Sequence, residues 1–107
     1  MALGEFEQLV LLAVLHLGNE AYGIEIVDAI EERVRRTVSR SSLYITFDRL
    51  ESKGYLTSQL RNGEDTRGGR MRRYVKTTPE GLRALQESRE ALLGMWHGLE
   101  PLFEGNN

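Results

Sequence analysis

Apolar residues recur at spacings of three and four along most of this chain, and at a spacing of two only near its middle. Phe6, Leu9, Val10, Ala13, Val14 and Leu17 share one helical face, and Gly18 and Asn19 end the pattern, which predicts a first helix. Leu11, Leu12 and Leu15 make that helix apolar nearly all round. One small core cannot cover such a helix, so the surplus faces either a second copy of the chain or a later helix of the same one. A second helix is expected from about Tyr22 to Val34, burying Ile26, Val27, Ile30 and Val34 while Glu25, Asp28, Glu31 and Glu32 face water. Gly23 marks either close packing or simply the turn between the two helices. Arg33, Arg35 and Arg36 suit its carboxyl end, and Thr37 and Val38 leave room for a very short strand.

A third helix starts after Ser39 or Ser41 as N-cap and stops at Gly54. Leu43, Phe47 and Leu50 point inward. At 100° per residue, Ser41, Ile45, Asp48, Arg49 and Ser52 fall on the opposite face, with Ser42 and Tyr44 at its edges. Short hydroxyls and a guanidinium are groups that can meet a base edge or a phosphate at close range. The runs 55–61 and 73–77 then read as two strands, and the stretch NGEDTRGGRMR between them as a protruding basic wing. Arg67, Arg70, Arg72 and Arg73 crowd its return arm beside Gly68 and Gly69, and no lysine occurs from 54 to 75. Guanidinium suits phosphate forks and narrow minor grooves better than ammonium does.

Thr78 and Pro79 cap and open a last helix. Leu82, Leu85, Arg89, Leu92, Trp96, Leu99 and Phe103 alternate spacings of three and four along it, which is a heptad seam. So long a seam outruns so small a core, so it is expected to dimerise with help from helix 1, above all Leu9 and Leu12. Gly94 and Gly98 weaken the helix, Pro101 should kink or end it, and the tail from 104 to 107 should fray. The fold class is therefore mainly α with a small β-hairpin, in one domain of 107 residues.

Charge sharpens this picture. The net charge of −2 hides a partition: residues 1–32 hold seven acids and no Lys or Arg, residues 33–76 twelve Lys and Arg against four acids, and residues 77–107 two against five. Phosphate responds to that local basic block, not to the chain average. No cysteine is present, which excludes disulfides and thiolate metal sites. The two histidines sit inside predicted helices, and there is no HExxH string, nucleophile elbow or phosphate-binding loop, so neither an enzyme nor a cofactor or metal site is expected. Leu9 to Leu17 is too short for a membrane span, and an acidic start does not suit a signal peptide, so a cytoplasmic location is expected.

Four strings in order, LGEFEQLVLLAVLHLGNEAYGIEI, SSLYITFDRLESKGYL, GGRMRRYVKTTPEG and the helix that follows, resemble the PadR family of transcriptional regulators over essentially the whole chain. The resemblance implies a winged helix-turn-helix domain over residues 1–78 and a C-terminal dimerisation helix over 79–103, as in the short subfamily. It implies a homodimer repressing transcription from a palindromic operator on double-stranded DNA, with release by a small hydrophobic or aromatic effector. Carried onto this chain, it places Ser39, Arg40, Ser41, Ser42, Tyr44 and Arg49 of the recognition helix on DNA, together with Arg67, Gly68, Gly69, Arg70, Arg72 and Arg73 of the wing. The dimer seam would use Leu9, Leu12, Leu82, Leu85, Leu92, Trp96, Leu99 and Phe103. Trp96 would line an effector site there or be plain interface core. This chain departs from the family string at Ile45 and Phe47, so no operator sequence transfers. The competing reading is a winged helix turned protein-interaction module, whose binding would be far less salt-sensitive.

Overall fold

A computed structural model describes residues 3–62 and 71–104. Three helices come first, α1 (Glu5–His16), α2 (Gly23–Val34) and α3 (Arg40–Ser52), with the two-residue strand β1 (Ala21–Tyr22) between α1 and α2. Strands β2 (Leu56–Asn62) and β3 (Met71–Thr77) follow, then α4 (Pro79–Trp96) and the single turn α5 (Glu100–Phe103). The sheet is antiparallel in the order β1-β3-β2, with Leu56 opposite Thr77, Asn62 opposite Met71 and Ala21 opposite Val75.

Phe47, Leu43 and Leu50 of α3 pack with Val10, Leu11 and Val14 of α1, Ile26 of α2, and Leu56 and Val75 of the sheet, all fully buried. Burying one such side chain contributes about 1.5–3 kcal/mol before the entropy of ordering it. The inward face of α3 is therefore as the periodicity predicts, with Thr46 added: its hydroxyl donates to the Ser42 carbonyl at 2.8 Å, which lets a polar residue sit in the core.

The sequence misplaces several other details. In α1, Leu11 is fully buried and Leu17 is exposed, because α1 buries the side that meets α3 and β3 and ends at Gly18 (φ 88°) and Asn19 (φ 61°). Val34, expected inside, is 42% exposed at the last turn of α2, where Arg35 takes a left-handed conformation and turns the chain out. Thr37 and Val38 form no strand. Instead the Glu31 carboxylate accepts from the Val38 amide at 2.9 Å and fixes the turn into α3. The third strand lies at Ala21–Tyr22, where the Asn19 side chain takes up both backbone groups of Thr77, accepting from its N–H at 2.9 Å and donating to its carbonyl at 3.2 Å. That clamp holds β1 beside β3.

The continuous helix expected over 79–103 is broken. α4 ends at Trp96, Gly98 adopts φ 89°, and the chain resumes as α5. Proline at position 101 opens that short turn rather than kinking a longer helix. Only Gly81, Ala84 and Leu85 of α4 are buried, and every residue from Arg89 to Glu104 is exposed. The arm so formed gives principal extents of 56 × 31 × 22 Å.

Candidate nucleic-acid interface

α3 presents its outer face by being pinned at both ends. At its start the Ser39 hydroxyl accepts from the Ser42 amide at 3.1 Å and bonds the Ser42 hydroxyl at 2.8 Å, so Ser39 serves as N-cap. At its end Lys53, the C-cap residue, donates to both carboxylate oxygens of Glu7 at 2.8 and 2.9 Å. Glu7 also accepts from the Gly4 amide at 2.7 Å, capping α1. Burial pushes the Glu7 carboxyl up, but the hydrogen bonds from Lys53 and Gly4 and the charges of Lys53 and Arg49 outweigh it and hold the group below its ordinary value. Between these ends Ser41, Ser42, Tyr44, Ile45, Asp48, Arg49 and Ser52 are exposed, as is Arg40 at the first turn. Tyr44 leans on Phe47 edge to face at 5.6 Å and closes over the start of α2, where a Cβ on Gly23 would stand 2.7 Å from its phenol oxygen. Gly23 is thus a close-packing position.

The strands carry a ladder that sequence reading misses. Arg61 lies 3.9 Å from the centre of the Tyr74 ring, Arg72 lies 4.2 Å from that of Tyr22, and the two rings meet at 5.3 Å. Arg61 also pairs with Glu20 ahead of β1. Alternation along β3 puts Arg72 and Tyr74 on one face, and register places Arg61 opposite Arg72. The three strands are clasped on that outer face by stacked cations and rings.

Arg73 is engaged within the fold. Its guanidinium donates to Asp48 at 3.0 Å and to Glu51 at 2.7 Å and lies 5.3 Å from the centre of the Phe47 ring. In this structure it ties β3 to α3. Arg73→Ala is therefore expected to lower unfolding stability by about 1.5 kcal/mol, the scale of hydrogen bonds to charged groups. Urea melts check this: an unchanged midpoint with weakened DNA binding would return Arg73 to the phosphate contacts. Arg67, Gly68, Gly69 and Arg70 lie outside the described residues.

On the opposite side, α1 and the arm leave an open groove of ≈ 610 Å³ lined by Leu12, Leu15, Leu82, Leu92, Leu93 and Trp96. Trp96 is 45% exposed and meets Phe103 edge to face at 4.8 Å, so α5 folds back on the end of α4. Leu85, in the second turn of α4, is buried in the core cluster and also lines this groove. Leu9 is half-buried against the same core. Leu12, Leu82, Leu92, Leu99 and Phe103 are exposed.

The described residues thus combine a layer of helices, the exposed outer face of α3 and a three-stranded antiparallel sheet. Residues 11–87 match the model of the transcriptional regulator PadR-like family. The chain belongs to that family. Its members are transcriptional regulators, not enzymes. The PadR match ends at Glu87, where α4 leaves the core. Transcriptional regulator Rv3488 of Mycobacterium tuberculosis is 39% identical over 83 residues, covering 76% of this chain and 73% of its own. A PadR family regulator from Eggerthella lenta has a TM-score of 0.70 at 34% identity over 95% of this chain and 88% of that one. F93 from STIV, a winged-helix DNA-binding protein, shares the fold with a TM-score of 0.71 at 15% identity, over 92% of this chain and 98% of its own. This PadR-like chain therefore has the winged-helix fold, mostly helical with a small antiparallel sheet. Among the described residues, no helix is long and apolar enough to cross a membrane.

Proposed function

We propose that this PadR-like chain is a repressor that binds double-stranded DNA as a homodimer on a palindromic operator and releases it when a small apolar or aromatic effector occupies the groove beside Trp96. The observation that carries the DNA reading is the outer face of α3, where the hydroxyls of Ser41, Ser42, Tyr44 and Ser52 and the arginines Arg40 and Arg49 stand exposed beside a sheet that carries Arg61 and Arg72. Arg40, Ser41, Ser42, Tyr44 and Arg49 are the proposed major-groove set, and Arg72 with the sequence-distinguished Arg67 and Arg70 the proposed backbone and minor-groove set. The homodimer is supported by the arm, since Leu92, Trp96, Leu99 and Phe103 leave more apolar surface in water than an isolated chain usually tolerates. In a dimer the arms fix the distance between two α3 helices, and half-sites about one helical turn apart accept one such distance. An effector acts by preferring one distance over another.

The test is a titration against selected and random duplexes at two salt concentrations, with sedimentation in parallel. About six neutralised phosphates would cost on the order of a thousandfold in affinity between 50 and 200 mM salt. A dimer at micromolar concentration that Leu92→Asp converts to monomer is expected. Salt-insensitive or absent binding would overturn the DNA reading in favour of a protein-interaction module.

A further inference from the structure

The outer face of α3 contains one apolar side chain among its hydrogen-bonding ones. Ile45 is 57% exposed, and it sits one turn after Ser41 and one turn before Arg49, near the middle of the surface opposite Leu43, Phe47 and Leu50. Leu43, Thr46, Phe47 and Leu50 make the buried side, and Ile45 is absent from the hydrophobic residues packed against the core. Isolated exposed apolar residues are common and carry no meaning by themselves. This one differs by position, because the amino-terminal half of a recognition helix is the part that meets base edges. Its neighbours on the same face are Ser41, Ser42, Tyr44, Asp48 and Arg49, all exposed and all able to hydrogen-bond.

The major-groove edges of the four base pairs present donors, acceptors and one apolar group, the C5 methyl of thymine. An isoleucine in the middle of a hydrogen-bonding face has a single complementary feature there. We infer that Ile45 is a specificity-determining residue that reads a thymine C5 methyl group in each half-site. This inference rests on the DNA reading above and deepens it. The β-branched side chain is stiff at its first torsion, so little freedom is lost when it is pressed against a methyl. Unlike a hydroxyl, it cannot turn to satisfy a donor or acceptor on another base, which makes cytosine, with its amino group and no methyl, a poor substitute.

The experiment begins with selection of a tight operator from random duplexes by the full chain. Each thymine is then replaced in turn by uracil, which removes the methyl and leaves every hydrogen-bonding group in place. Binding is expected to weaken about fourfold at one thymine per half-site, the value of one buried methyl, and about fifteenfold when both half-sites are changed. Ile45→Ala is expected to bind the thymine operator more weakly and to show no difference between thymine and uracil at that position, while its melting curve matches the parent's because the side chain is exposed. Tight, selective binding that is indifferent to uracil at every thymine overturns the role of Ile45 and leaves the DNA reading intact. Undiminished methyl discrimination by Ile45→Ala overturns it as well. Failure to select any operator defeats the DNA reading, and this inference with it.

Discussion

Glu7→Ala is expected to lower the unfolding free energy by about 3 kcal/mol. Breaking a buried ion pair costs about 3–5 kcal/mol because the surviving charge is stranded. The lower end applies here, since the side chain of Lys53 is 16% exposed and its stem can lift the ammonium toward water. The same substitution removes the carboxylate that accepts from Gly4, so α1 loses its cap together with the clasp on α3. Glu7→Gln keeps the size and an acceptor for Gly4 but not the charge, and should lose less.

The pH dependence follows from the depressed carboxyl. A group whose folded value lies below its unfolded one binds its proton more readily in the unfolded chain, so its contribution is complete above the ordinary value of 4.5. The contribution falls away as pH drops below 4.5 toward the folded value. Urea melts of the parent and Glu7→Gln from pH 7 to pH 3 should therefore converge at the acid end. A gap that stayed constant over that range would show that shape, not charge, sets the difference.

The second large effect concerns the root of the arm. Gly81→Val should cost stability by about 1–3 kcal/mol, the scale of overpacking. A Cβ at Gly81 would lie 2.5 Å from the Tyr55 carbonyl oxygen and 3.0 Å from the Thr77 Cγ2, and the first of these is backbone that cannot swing aside. The site is tight because three bonds converge on it. The Thr78 amide donates to the Tyr55 carbonyl at 3.1 Å, the Thr78 hydroxyl donates to Gly54 at 2.7 Å, and it accepts from Gly81 at 3.0 Å. Thermal melts with sedimentation of the variant check the expectation. A variant as stable as the parent would mean that the root of α4 moves away at little cost. In contrast, Gly94→Ala has open space around it and should be harmless or mildly stabilising, since alanine favours helix by about 1 kcal/mol.

The periodic parts of the fold were legible in the sequence, and the parts decided by single long-range partners were not. Leu43, Phe47 and Leu50 announced α3 and its buried side because a helix's inward face repeats every three or four residues. The serine at position 39, the proline at 79 and the glycine at 54 marked ends for local reasons. β1 escaped because two residues have no period. It exists through Asn19, whose amide meets Thr77 58 positions away. The break after Trp96 was half legible: Gly98 weakens a helix, yet the heptad spacing runs straight through it and argues for continuity. Arg73 shows the limit of counting charge. In the sequence it is one of four arginines near a glycine pair, but alternation along β3 points it back at Asp48 and Glu51 of α3. Arg72, one residue earlier, points the other way and stacks on Tyr22.

The root of α4 also works as a mechanical joint. Its 18 residues make a rod of about 27 Å at 1.5 Å each, held through Thr78 at the carbonyls of Gly54 and Tyr55, which follow the C-cap of α3. A tilt of about 10° at that joint would carry the far end of the rod through about 5 Å, and the same geometry read backwards gives leverage. A force applied near Trp96 would act on that joint through the full length of the rod.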